Sequence, residues 1–143
     1  MIDGSPFAMT DISHFEQLLR AAAEQSQPHR LLFVFATAEL PDRPTDEQRR
    51  RFLAGEGGAL APVMCVDKAP EDLPDFAALV TESRRAGPPW QVVFAAGLSG
   101  FDGKPPAQSQ IDPALEKMVN AVRLGGVAQF AAYDPSGEPI QFN

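Results

Sequence analysis

The feature that most restricts how this chain can fold is the run Gln91–Ala96 (QVVFAA), apolar almost throughout and followed at once by a loop with glycines at 97, 100 and 103. Its length is that of a strand, and an unbroken apolar pattern suits a strand covered on both faces. Such a strand needs one layer above it and another below, which the rest of the chain must supply. The glycines that follow allow backbone turns that residues with a Cβ resist.

Two further runs have the same character. Arg30–Ala38 (RLLFVFATA) has Phe33, Val34 and Phe35 at its centre, and Leu60–Val66 (LAPVMCV) reads as a strand weakened at its start by Pro62. Helical patterns lie between them. Ser13 with Glu16 makes a capping box ahead of the stripe Phe15, Leu18, Leu19, Ala22 and Ala23, and Thr45 with Gln48 makes another. Asp72 reads as the cap of a third helix with Leu73, Phe76, Leu79 and Val80 inward, stopped by Gly87-Pro88-Pro89. Asp112-Pro113 reads as the start of a fourth, with Leu115, Met118, Val119 and Val122 on one face and Gly125-Gly126 at its end. Finally, Val127–Tyr133 and Glu138–Phe142 flank the turn Asp134-Pro135-Ser136-Gly137, a hairpin pattern.

The predicted order is therefore α-β-α-β-α-β-α-β-β. Strands joined by helices favour parallel pairing with right-handed crossovers. The expected fold is α/β: a single mixed five-stranded sheet, helices packed on the sheet, and a C-terminal β-hairpin whose last strand runs antiparallel at an edge. At 143 residues the chain is the size of one ordinary domain. Residues 1–8 read as a leader or tag remnant, and 9–143 as a single globular domain.

Charge and cysteine content narrow the function classes. A net charge of −7 argues against general nucleic-acid binding, since a phosphate backbone repels an acidic surface. The basic cluster Arg49-Arg50-Arg51 sits late in a predicted helix, where cations complement the dipole. The longest apolar run is far short of the roughly 18 residues of a membrane span. One cysteine, Cys65, allows neither an intramolecular disulfide nor a multi-cysteine metal site. With no secretory pattern at the start of the chain, the expectation is a reducing cytoplasm, no cofactor and no metal.

In open sheets with parallel strands, ligands bind beyond the strands' carboxyl ends. There the sequence places Thr37 and Glu39, then Cys65, Asp67 and Lys68, then Ser99 and Gly100. If they converge on one rim, a thiol, an ammonium and carboxylates could support acid–base or nucleophilic chemistry. Cys65 lies among Val63, Met64 and Val66, which suits a small buried hydrophobe rather than a nucleophile. His14 and His29 show no metal-ligand spacing. Gly97–Pro106 resembles a phosphate cradle in composition only, because Lys104 is followed by proline rather than Ser or Thr. Trp90, Phe94 and Phe101 read as core or edge cover.

The segments RLLFVFATAELP (30–41), MCVDKAPEDL (64–73) and WQVVFAAGLSG (90–100) resemble a group of short proteobacterial proteins labelled "ribonucleotide reductase subunit alpha". The resemblance extends over most of the chain from Met9 onward. The reductase's large subunit is a far longer barrel protein that needs a radical cysteine and a redox pair. One thiol cannot form the disulfide that substrate reduction consumes, so no catalytic residue is carried over. What the resemblance implies is an accessory link to the reductase. The residues themselves favour a non-enzymatic binding or interaction module, with homodimer formation through an edge strand or helix face as one route; the edge the sequence offers is the terminal strand Glu138–Phe142, limited by its length and by Pro139. The alternative is a small enzyme or metabolite sensor at the rim of Cys65, Asp67, Lys68 and Ser99.

Overall fold

A computed structural model describes residues 14–39, 45–53 and 59–141. The elements run α1 (His14–Ala23), β1 (His29–Glu39), α2 (Asp46–Leu53), β2 (Ala59–Lys68), a 3-10 turn (Pro70–Asp72), α3 (Phe76–Ala86), β3 (Val92–Ser99), α4 (Gln108–Leu124) and β4 (Ala131–Tyr133). The expected cap Ser13 and the corners 40–44 and 55–58 lie outside the described residues.

The described strands form one four-stranded sheet in the order β2-β1-β3-β4, with every neighbouring pair antiparallel. The expectation of a mixed five-stranded sheet is overturned. Parallel pairing was inferred from the alternation of strands and helices, but the link from β1 to β2 returns the chain alongside itself: Leu31 faces Lys68 and Glu39 faces Ala59. β3 then pairs on the other side of β1, from His29 opposite Ser99 to Ala36 opposite Val92. β2 and β3 are thus parallel to each other only across the intervening β1.

The terminal hairpin is also much reduced. Phe130 N–H donates to the carbonyl of Val127 (3.0 Å), making a turn where a strand was expected, so β4 keeps three residues. The Asp134–Gly137 turn does form, with Gly137 at φ 91°. Its return arm makes a single bridge, Tyr133 to Pro139, and Ile140 N–H donates to the Ala132 carbonyl (2.9 Å). Pro139 has no N–H with which to extend a ladder.

β1 is apolar on both faces because both are covered. Leu31, Phe33 and Phe35 point to a core shared with Phe15 of α1 and Leu79 of α3, whereas Leu32, Val34 and Ala36 point to Ile111, Met118 and Val122 of α4. α4 lies across β1 and β2. Phe15 ties the first core together through ring contacts with Phe33 (6.1 Å), Phe76 (5.0 Å) and Tyr133 (5.5 Å). Each phenylalanine fully buried in this way stabilises the fold by roughly 1.5–3 kcal/mol.

Two helix starts differ from expectation. The cap of α3 is Asp75, whose Oδ1 accepts from Ala78 N–H (2.8 Å), because Pro70–Asp72 are taken up by the 3-10 turn. α4 starts at Gln108, with Gln110 Oε1 accepting from Ala107 N–H (3.0 Å), and so Pro113 lies inside the helix. α4 ends in a Schellman arrangement: Gly125 adopts φ 82°, and Gly126 N–H reaches the Ala121 carbonyl (2.9 Å).

Candidate functional site

The antiparallel sheet distributes the expected rim residues over two ends. Thr37 and Glu39 close β1 beside the amino end of β2, opposite Ala61 and Ala59. Asp67, Lys68 and Ser99 gather at the other end, beside the amino end of β1, where they face Leu32, Leu31 and His29. A strand of reversed direction between β2 and β3 rules out one rim for all seven residues.

At the end holding Asp67, the polar groups are mostly committed to one another. Arg30, on the α4 side of β1, donates from Nε (3.0 Å) and Nη2 (2.5 Å) to one oxygen of Asp67. Lys68, on the opposite face, pairs with Glu82 of α3. His29 Nδ1 lies 2.8 Å from the Gln27 carbonyl, so it carries a proton and donates it there. Ser99 Oγ donates to the carbonyl of Gly100 (3.0 Å) rather than to a base. No nucleophile–base pair results.

Gly100 has a backbone role. Its N–H donates to the Pro28 carbonyl (2.7 Å), and a Cβ there would sit 1.9 Å from the Lys104 carbonyl oxygen. The glycine loop is a tight turn: Phe101 and Lys104 exchange backbone hydrogen bonds around Asp102 (φ 55°) and Gly103 (φ 72°). Gly103 N–H donates to Gln27 Oε1 (2.7 Å). Every amide named here already has a protein acceptor, which leaves none of these for a phosphate.

At the Thr37 end, Gln91 organises the backbone. Its Oε1 accepts from Ala38 N–H (2.6 Å) and from the Thr37 hydroxyl (3.1 Å), while its own N–H donates to the Ala36 carbonyl (2.9 Å). Thr37 therefore secures a strand end.

Cys65 is exposed, contrary to the reading of its apolar flanks. It is on β2 opposite Val34, and β2 is an outer strand with no neighbour beyond it among the described residues. From Ala59 to Val66 this edge carries no charge. Val63, Met64 and Val66 pack against the first core yet stay half-exposed. The register slips between Phe35 and Ala36, leaving Val63 as the extra residue of a bulge. The opposite edge is different, since Pro139 and Ile140 cover β4.

Among the described residues no group of three His, Cys, Asp or Glu side chains converges as metal ligands, and no helix is long and apolar enough to cross a membrane. The residues missed in the sequence are the partners: Arg30, Gln27 and Gln91. Each acts across strands or loops far apart in the chain, and only the register reveals them. Comparison with family models, curated proteins and solved structures finds no match to this chain.

Proposed function

We propose that this chain is a non-enzymatic interaction module that works by strand addition at the open edge of β2, and that the added strand is β2 of a second copy. The observation that carries this reading is the edge itself: ten residues long, unpaired outward among the described residues, and without charge from Ala59 to Val66. Edges left to water are usually blunted by charged side chains, proline or a β-bulge. Here Pro62 and the bulge interrupt one half, and Met64–Lys68 offers a regular stretch for antiparallel pairing.

Electrostatics favour a second copy. Two chains of net charge −7 repel, and they meet most cheaply where the surface is neutral. The nearest charges on β2, Asp67 and Lys68, are already neutralised by Arg30 and Glu82. In a reducing cytoplasm the exposed Cys65 stays a free thiol at the centre of this strip.

Light scattering on a size-exclusion column tests the proposal, with a dimer of twice 15.4 kDa expected. Cys65→Lys puts a charge on an already exposed position and should return the protein to a monomer of unchanged secondary structure. A wild-type monomer throughout the accessible concentration range overturns self-pairing. The resemblance to reductase-labelled proteins supports a second reading, an accessory of that enzyme; a pull-down that recovers no reductase component removes it.

A further inference from the structure

We propose that the groove between the end of α3 and the Asp134–Gly137 turn binds a small aromatic carboxylate. The groove has a volume of about 310 Å³ and is lined by Arg84, Gly87, Pro88, Pro89, Trp90 and Pro135. That volume is at the lower end of small-molecule sites.

Its walls are preformed. Trp90 is held by its indole N–H, which donates to Ser83 Oγ (2.8 Å), and the Ser83 hydroxyl donates in turn to the Val80 carbonyl (2.7 Å). Phe35 meets the indole edge-on at 5.1 Å. Gly87 sits so close to β2 that a Cβ would come within 2.9 Å of Met64 Sδ. Pro135 belongs to a turn in which Asp134 Oδ1 accepts from Ser136 N–H (2.9 Å), Ser136 Oγ (2.6 Å) and Glu138 N–H (3.1 Å). Exposed proline rings backed by a fixed, largely buried indole make a rigid apolar surface that loses little entropy when a flat ring is laid on it.

One charge borders this surface. Arg84 is exposed and makes no ion pair or hydrogen bond among the described residues. Asp134, the neighbour in sequence of the wall residue Pro135, is engaged by its own turn. Among the described residues this guanidinium has no protein partner, and on a chain with 19 acidic and 12 basic residues it can exchange water for a carboxylate held by two parallel hydrogen bonds. The carboxyl end of α3 opposes an anion with about half a negative charge, less than the full charge of Arg84. Apolar walls and one cation together specify a ring bearing one carboxylate.

Trp90 is the only tryptophan, so its indole N–H gives one identifiable amide-region resonance. Titration of the full chain with benzoate should shift that resonance saturably. Benzamide, which keeps the ring without the charge, and acetate, which keeps the charge without the ring, should each bind weaker by about tenfold or more. Arg84→Gln should weaken benzoate to the same degree, and Arg85→Gln should leave it unchanged. No saturable shift with benzoate, or equal affinity in Arg84→Gln, overturns the proposal.

Discussion

Replacing Gly100 by alanine should damage this fold more than any other single methyl group added along the 97–103 segment. The new Cβ would lie 1.9 Å from the Lys104 carbonyl oxygen and 2.8 Å from that of Pro28, both of them backbone atoms that cannot rotate away. Relief requires the turn to move off the Gln27–Pro28 segment. That movement puts four hydrogen bonds at risk: Gly100 to Pro28 (2.7 Å), the two between Phe101 and Lys104 (3.0 and 3.1 Å), and Gly103 to Gln27 (2.7 Å). At about 1 kcal/mol net for each, with water replacing some of them, the loss is about 2–4 kcal/mol. A domain of this kind has roughly 5–15 kcal/mol in total. Two neighbouring glycines act as internal controls. Gly103 needs φ 72° but has open space around it, so alanine there carries only the left-handed penalty of about 1–2 kcal/mol. At Gly97 a Cβ meets His29 Cδ2 at 3.5 Å, an ordinary contact, and alanine should be neutral or stabilising by up to about 1 kcal/mol. Urea unfolding followed by Trp90 fluorescence should rank the midpoints Gly97→Ala, Gly103→Ala, Gly100→Ala from highest to lowest, at a common slope. A Gly100→Ala midpoint equal to or above that of Gly103→Ala would refute the steric argument.

Three other outcomes follow from contacts described above. Ser83→Ala leaves the buried Trp90 indole N–H without its acceptor and should destabilise by about 1–3 kcal/mol, seen as a lower melting temperature and an altered tryptophan emission maximum. Burial raises the Tyr133 hydroxyl above its ordinary value of 10.0, so ultraviolet titration of this single tyrosine should show ionisation later than in the unfolded chain; the stability it contributes is complete below pH 10 and is lost as pH rises through the folded value. The Ser136 hydroxyl first, and then the amides of the turn, lower Asp134 below 3.8, so the order of the 134–138 turn should persist below that pH and fade only as pH falls through the folded value; Asp134→Ala should remove the effect from an NMR pH titration.

Most of the elements up to α4 were readable in the sequence because each is a local pattern, while their exact starts and the terminal hairpin were not. The apolar centre of Arg30–Ala38 marks a strand buried on both faces, and β1 is that strand. The direction of its neighbours is not local. Nothing in LAPVMCV says whether it runs with or against β1, and the 19 residues between Glu39 and Ala59 are enough for either path. The site inherits that dependence: Thr37 and Asp67 lie on one rim only if β1 and β2 are parallel. The exposure of Cys65 is hidden from the sequence for a related reason. Apolar neighbours on an outer strand describe what it packs against on one face, not what covers the other, and exposure depends on strand order. Pro139 suits an edge, but its missing N–H ends the pairing after one bridge.

The covering of β4 by Pro139 and Ile140 bears on how far assembly can go. A molecule with two open edges can recruit a partner on each side, and growth then has no natural end. Among its described residues this chain has one such edge, so pairing of the kind proposed would have a valence of one. Joining two copies about a two-fold axis would use both of these edges and present β4 at either flank of the pair, already covered. Pro139 and Ile140 would then act as a chain terminator for a reaction they take no part in. Deleting residues 139–143 should raise the valence to two and turn a finite pair into an open-ended fibre.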